Sequence, residues 1–317
     1  MQKISAFKIK INDKTLDYRQ SAKLDLQKAR EFFESKYKVR RIWAGGRHVL
    51  GELEKSGQVL FLKLATTEGI SEVTKIEKDW NSAFNKQVER RKSGFWVPQN
   101  FDSGIWQSKL FYLITDNFEG ELLVQRPKAG ETSDVLVNSL REIIDFSEFI
   151  GELKFENLTE IFYGDQDYKA RFVNKTKSWF ENVPVDIRNE YGLEGLLRIV
   201  ADGVDKLEMR PRHGDFTPWH LFKLKTGQLG LIDGEHAMAG GVEGYDIGYF
   251  IQRVFSVVQN PPLAQKIFSM LLAKGYKVEK LKVIFAARAI GGFLDESLIS
   301  SPDFSYANKF KDWIMEI

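Results

Sequence analysis

Hydrophobic and polar positions divide the first 120 or so residues into short strands and charged helices. Residues 4–11 alternate along the segment ISAFKIKI, and residues 59–64 and 109–115 form two short apolar runs that predict strands. Between the two runs, residues 71–88 carry apolar side chains at spacings of three or four, which predicts a helix. Residues 16–40 have a charged, helical pattern and are predicted to form an N-terminal extension.

After about residue 120 the pattern becomes mostly helical. Helices are predicted at residues 134–153, 163–180, 193–207 and 246–317, the last with breaks near residues 261, 275 and 301. One β segment, LFKLKTGQLGLI at residues 221–232, lies alone among these helices, and its Thr226-Gly227 pair predicts a hairpin turn. The chain is therefore predicted to have an α+β fold, with a small β-rich lobe and a larger, mostly helical lobe.

Composition excludes several classes of protein. The 317 residues carry 46 Lys and Arg against 44 Asp and Glu, so a net charge of +2 gives no electrostatic case for a nucleic-acid or membrane partner. The count of 0 Cys excludes disulfides, thiolate zinc sites and a cysteine nucleophile. No apolar run reaches the roughly 18 residues of a membrane span, and no signal peptide is recognisable, so we expect a soluble cytoplasmic protein.

Ionisable residues concentrate around the predicted hairpin. His213, Gly214 and Asp215 precede its first arm, His220 lies at its root, and Asp233 follows its second arm. Because a hairpin returns its ends to neighbouring positions, both carboxylates should converge near His220. Two carboxylates and a nearby ligand suit a divalent cation together with a proton acceptor, although Asp and Gly are also common in solvated turns.

These segments resemble those of a known family. HGD at residues 213–215, DGE at 233–235 and GYDIG at 244–248 are similar to motifs of the aminoglycoside phosphotransferase and choline kinase-like family, which is related to protein kinases. The resemblance is most specific over residues 210–250 and extends over most of residues 40–300. It implies a bilobal protein-kinase-like fold.

In that fold, residues 1–120 would form the nucleotide-binding lobe, with residues 1–40 as an extension. Residues 121–317 would form the helical lobe that carries the catalytic loop and the substrate pocket. The resemblance implies that Lys63, on an apolar strand, binds the nucleotide phosphates and is held by Glu77 on the following helix, with Glu72 as the rival partner.

The remaining nucleotide contacts are implied on two loops. A turn at Gly45 and Gly46 would cover the phosphates with backbone amides, although it lacks the full glycine signature and an ordinary hairpin turn remains an alternative. A hinge at Thr115, Asp116 and Phe118 would present backbone groups to the base. The nucleotide would be ATP, with GTP left open.

The resemblance also assigns the chemistry. Asp215 would orient the substrate hydroxyl and accept its proton, and His220 and Asp233 would hold Mg²⁺, or Mn²⁺ in its place. The family usually has asparagine where this chain has His220, although macrolide phosphotransferases carry histidine there. An alternative is that His220 only hydrogen-bonds the loop. His213 is predicted to be structural, and Asp246 to brace the catalytic loop from a helix start.

The sequence therefore predicts a phosphotransferase that phosphorylates a hydroxyl group of a small molecule. The alternative is a non-catalytic, pseudokinase-like scaffold or sensor that binds nucleotide, which His220 and the atypical glycine turn would favour. Aminoglycoside, macrolide, choline-like amine, sugar and amino-alcohol acceptors all remain open. Asp295 and two nearby acidic residues offer a little negative charge for a cationic acceptor. The oligomeric state is not readable.

Overall fold

The computed structural model of the chain describes residues 5–11, 13–91, 93–125, 130, 132–155, 158 and 167–317. The sequence pattern predicts a strand from Ile4 and a helix from residue 163, and both Ile4 and residues 163–166 lie outside this described part. Among the described residues, no helix has the length and apolar character that crossing a membrane requires.

The first half of the chain is rich in strands. They are β1 (Lys8–Ile11), β2 (Lys14–Asp17), β3 (Lys38–Gly45), β4 (His48–Lys55), β5 (Gln58–Ala65), β6 (Phe95–Trp96), β7 (Asn100–Trp106), β8 (Leu110–Asp116) and β9 (Gly120–Leu122). Two helices accompany them, α1 (Leu26–Glu34) and α2 (Glu68–Arg91). Five of the strands form one antiparallel sheet in the order β3-β4-β5-β8-β7.

The two faces of strand β5 have different surroundings. Leu60, Leu62 and Leu64 point to one face, where they are fully buried in a cluster with Phe33 of α1. Because successive side chains of a strand alternate between faces, Lys63 points to the opposite face. That face is the one toward α2, whose Glu77 contacts Lys63. The predicted strand at residues 59–64 and helix at residues 71–88 are confirmed.

The second half is mostly helical. Its helices are α3 (Asp134–Asn138), α4 (Leu140–Gly151), α5 (Tyr168–Asn182), α6 (Val185–Glu190), α7 (Glu194–Gly203), α8 (Tyr245–Ser256), α9 (Pro261–Ala273), α10 (Val278–Ser297) and α11 (Ser305–Glu316). Its strands are β10 (Met209–Arg212), β11 (Leu221–Leu224), β12 (Leu229–Leu231) and β13 (Met238–Val242). Strands β11 and β12 form the predicted hairpin, with Leu221 opposite Leu231. The breaks predicted near residues 261, 275 and 301 fall between the last four helices.

The sequence pattern predicts that the hairpin lies alone among helices, and this prediction is wrong. The hairpin occupies the centre of a four-stranded sheet in the order β6-β12-β11-β9, and β10 pairs separately with β13. Strands β6 and β9 contain only two and three residues, which is too short for an alternating pattern to show in the sequence. Both strands come from the first 122 residues, and they pair with a hairpin from the second half of the chain. The lobe boundary at residue 120 stays a prediction.

Two helix predictions need correction. Residues 16–40 are not one helical segment, because α1 is flanked by β2 and by β3, whose buried Val39 belongs to the sheet core. Residues 134–153 form two helices rather than one. The interruption lies at Ser139, whose φ of −95° and ψ of 3° depart from helical geometry. The helices predicted at residues 163–180 and 193–207 correspond to α5 and to α7, the latter followed by a short 3₁₀ turn at Val204–Lys206.

Candidate active site

The loop that carries Asp215 is fixed by the start of helix α8. The carboxylate of Asp246, in the first turn of α8, accepts hydrogen bonds from the backbone N–H groups of His213 at 2.7 Å and of Gly214 at 2.8 Å. Burial raises the pKa of Asp246 to about 6, although these two donors favour the ionised form. The predicted bracing role of Asp246 is confirmed.

Gly214 is required by the geometry of this loop. Its φ is +84°, in the region that residues with a Cβ rarely adopt, and a Cβ there would lie 2.3 Å from the carbonyl oxygen of His236. His213 is fully buried, and its ring centroid lies 5.6 Å from that of Trp80 on α2. Burial lowers the pKa of His213 to about 3, so its ring stays neutral and supports the loop, in agreement with a structural role.

Asp215, His220 and Asp233 meet at the mouth of the hairpin. His220 Nε2 lies 3.3 Å from Asp233 Oδ2, and His220 Nδ1 lies 3.6 Å from Asp215 Oδ2. One ligand atom from each of the three residues falls within 4.8 Å of the other two. Asp233 adopts a φ of +71°, a strained conformation for a residue with a Cβ. The structure therefore brings together the three residues to which the sequence assigns proton transfer and metal binding.

The hydrogen bond of the His220 ring bears on what this cluster can hold. Nδ1 is 3.0 Å from the backbone oxygen of Asp215, and a carbonyl oxygen can only accept, so Nδ1 carries the proton. Nε2 then faces the carboxylate of Asp233 at 3.3 Å. The donor set of two carboxylates and one imidazole fits a divalent cation.

Lys63 joins the first half of the chain to this cluster. Its Nζ lies 2.7 Å from Glu77 Oε2 and 2.6 Å from Asp233 Oδ1. Burial opposes the charge of Lys63, but the two carboxylates outweigh burial and raise its pKa. The rival Glu72 pairs instead with Lys75, at 2.6 Å. The predicted pairing of Lys63 with Glu77 is confirmed.

The glycine turn between β3 and β4 reaches the same region through Arg47. Gly45 ends β3, Gly46 has a φ of +71°, and Arg47 follows in the turn. Arg47 Nη2 lies 2.7 Å from Glu235 Oε2. Glu235 is thus held by an arginine of the turn, and nothing in the local sequence of Arg47 predicts this contact.

The predicted hinge residues lie at the end of β8 and just beyond it. Thr115 and Asp116 end β8, where they are opposite Phe61 and Leu60 of β5, and Phe118 packs its ring 5.8 Å from that of Phe222. Burial raises the pKa of Asp116 to about 6. Within the described ranges, these three residues make no hydrogen bond or ion pair with the cluster around Asp233. Their role toward a nucleotide stays a prediction.

Comparison with known proteins identifies solved structures with the same fold. No protein-family description matches the sequence, and no curated protein sequence matches it. Solved structures do match in three dimensions. A thermostable mutant of aminoglycoside phosphotransferase APH(4)-Ia has a TM-score of 0.66 and 12% identity over 92% of this chain and 98% of that one. A ternary complex of a mutant of that enzyme with ADP and hygromycin B has a TM-score of 0.64 and 13% identity over 92% and 97% of the two chains.

A second kind of kinase matches as well. Choline kinase LicA from Streptococcus pneumoniae has a TM-score of 0.55 and 12% identity, over 92% of this chain and 97% of that one. The chain therefore has the protein-kinase-like fold that aminoglycoside phosphotransferases and choline kinase share. The resemblance seen in the sequence motifs and the predicted fold class are both confirmed at this level.

Proposed function

We propose that the protein is a phosphotransferase that transfers the terminal phosphoryl group of ATP, or of GTP, to a hydroxyl group of a small molecule. The observation that carries the proposal is the continuous set of contacts from Glu77 through Lys63 and Asp233 to His220. In this fold, such a set holds the nucleotide phosphates, a divalent cation and a proton acceptor side by side.

Asp215 would receive the proton of the acceptor hydroxyl. Burial raises its pKa, which makes its carboxylate a stronger base than a solvated aspartate. Lys63 and the amides of Gly45 and Gly46 would bind the phosphates, and backbone groups of the segment from Thr115 to Phe118 would contact the base. Catalysis then depends mainly on positioning and on the neutralisation of charge.

His220 and Asp233 would hold Mg²⁺ or Mn²⁺, which when bound neutralises phosphate charge during transfer. Asp233 is suited to this because its carboxylate stays ionised. Burial alone would disfavour its charge, but Lys63 and His220 hold its pKa well below the usual range.

The experiment that tests the proposal is a screen for acceptor-dependent ADP or GDP release, followed by identification of the product. At least one hydroxylated acceptor should accelerate release and emerge as a phosphate ester on oxygen. The scaffold alternative predicts nucleotide binding without any such product. The presence of Lys63, Asp215 and Asp233 argues against that alternative.

Replacement of Lys63 by methionine is expected to weaken ATP binding. One charge-assisted hydrogen bond to phosphate contributes about 1.5–3 kcal/mol, so the Kd should rise roughly 10- to 100-fold. Calorimetric titration with ATP and Mg²⁺ measures this directly. Lys75→Met is the matched control, because Lys75 also pairs with a glutamate of α2 but lies away from the cluster. An unchanged Kd in Lys63→Met would remove Lys63 from the nucleotide site.

His220→Asn is expected to remain active and to shift its metal preference. Imidazole nitrogen is a softer ligand than an amide oxygen, so the wild type should use Mn²⁺ at least as well as Mg²⁺, and the variant should favour Mg²⁺ more. Activity titrated with each metal for both proteins measures the shift. Identical preferences would mean that His220 serves only its hydrogen bond to Asp215.

A further inference from the structure

A cavity of about 220 Å³ opens beside Asp215 and has a strongly basic lining. Gly214 and Asp215 of the catalytic loop form one wall, and helices α5, α8 and α10 contribute to the others. Besides Arg47, the basic side chains that line it are Arg19, Arg171, Lys175, Arg212, Arg253 and Arg288. Among the described residues, the carboxylates of the lining are Asp215 and Asp295.

Asp295 is already neutralised by arginines. Its Oδ2 lies 2.6 Å from Arg253 Nη2, and its Oδ1 lies 3.6 Å from Arg19 Nη2. From the sequence, Asp295 is a candidate source of negative charge for binding a cationic acceptor. The structure shows instead that it balances two cations of the protein, and Arg47 is likewise balanced by Glu235.

Among the described residues, Arg212 and Arg288 have no carboxylate in direct contact. Within the part of the chain that the structure describes, no carboxylate lies within 4.0 Å of either guanidinium, and the Nε of each is buried without a hydrogen-bond acceptor. Arg288 is only 4% exposed. Arg212 is half-buried. A buried cation with no carboxylate in direct contact is costly, which for Arg288 favours an anionic partner from outside the protein.

Tyrosine rings hold both guanidinium groups in place. Arg212 lies over the ring of Tyr245 at 3.8 Å, and Arg288 lies over that of Tyr249 at 3.6 Å. Arg288 Nη1 also donates to the hydroxyl of Tyr245 at 3.1 Å. Stacking fixes the planes of the guanidinium groups and leaves N–H groups for a planar or tetrahedral oxyanion.

The neighbouring Lys175 reflects the same excess of positive charge. Burial and the charges of Arg212, Arg288 and Arg19 lower its pKa to about 7, and Asp295 offsets this only in part. A cationic acceptor entering this cavity would meet the same repulsion.

We propose that the cavity binds an anionic acceptor, a hydroxylated small molecule whose carboxylate or phosphate group is held by Arg212 and Arg288 while its hydroxyl faces Asp215. This inference rests on the proposed phosphotransferase function and names the substrate class of that site. It sets the protein apart from enzymes that phosphorylate the polycationic aminoglycosides or the cation choline. Transfer would form the new O–P bond on the acceptor hydroxyl, break the bond to ADP, and leave the hydroxyl proton on Asp215.

Four sugars with one skeleton and different charges test the proposal. Glucose is neutral, glucosamine is cationic, gluconate carries a carboxylate and glucose 6-phosphate carries a phosphate. At equal ionic strength and without nucleotide, the melting temperature should rise with gluconate or glucose 6-phosphate and not with the other two. The comparison of the two anions identifies which oxyanion the cavity prefers.

Variants assign the effect to the cavity. Arg212→Gln should weaken binding of the effective anion roughly 10- to 100-fold, the loss expected for one charge-assisted hydrogen bond. Arg288→Gln should do the same, and if it fails to fold, Arg212→Gln carries the test because Arg212 makes no hydrogen bond within the described structure. Arg198→Gln, at an exposed position of α7, is the control and should bind like the wild type.

The outcomes separate this inference from the proposed function. A stronger response to glucosamine than to either anion, no response to the anions, or an equal response in wild type and Arg212→Gln would overturn the anionic acceptor. Acceptor-dependent ADP release with a cationic compound would leave the phosphotransferase function intact and refute only the substrate class. Anion binding that depends on Arg212 in a protein that binds no nucleotide would support the cavity and refute phosphoryl transfer.

Discussion

Asp215→Asn is expected to reduce phosphoryl transfer to the acceptor by about 10²- to 10⁴-fold, the contribution of a positioned general base. Asparagine has the size of aspartate and can still hydrogen-bond the hydroxyl, but it cannot take up its proton. Nucleotide affinity should stay close to that of the wild type, because the contacts of Lys63 with Glu77 and Asp233 do not involve Asp215.

Turnover with the acceptor found in the screen and calorimetric titration with ATP measure the two effects separately. Asp202→Asn, at an exposed position of α7, is the matched control and should leave both unchanged. Full turnover in Asp215→Asn would show that the proton goes elsewhere. A large loss of nucleotide affinity would show that Asp215 acts in binding.

Trp80→Ala is expected to cause a large loss of stability, about 3–5 kcal/mol in the free energy of unfolding, as for other fully buried tryptophans. Trp80 of α2 is fully buried, with ring centroids 5.4 Å from Phe84 and 5.6 Å from His213. It also fills the space beside Gly234, where a Cβ would lie 2.4 Å from the indole. The side chain therefore supports the two loops that carry Asp215 and Asp233.

Chemical denaturation followed by circular dichroism measures this loss. Trp43→Ala is the matched control, because Trp43 is half-buried on β3 and its ring contacts Phe61 at 6.3 Å. Its loss should be clearly smaller. Equal losses in the two variants, or less than about 1 kcal/mol for Trp80→Ala, would contradict the central packing role of Trp80.

The sequence predicts the part of the site that is local along the chain. Asp215, His220 and Asp233 lie within 19 residues around one hairpin, so the antiparallel pairing of that hairpin alone brings them together. The contact of Lys63 with Glu77 can also be predicted. A buried lysine on an apolar strand needs an acidic partner, and the family resemblance points to Glu77 or Glu72 on the next helix.

What the sequence does not predict depends on distant segments. The contact of Arg47 with Glu235 joins residues 188 positions apart, and nothing in the sequence around Arg47 predicts it. The basic cavity draws Arg212 from β10 and Arg288 from α10, while the overall charge of the protein is nearly balanced. The resemblance of the motifs to a known family implies the reaction. The positive charge of the cavity beside Asp215 cannot be predicted in this way, because it arises only when distant helices pack together.

Thermal melting of the wild-type protein with ATP or GTP, in Mg²⁺ or Mn²⁺, tests the account most directly. A ligand that binds only the folded state at 100 times its Kd stabilises that state by about 2.7 kcal/mol. The account predicts a rise in melting temperature that requires both nucleotide and metal. An unchanged melting temperature with both nucleotides, at saturating concentrations of either metal, would contradict it.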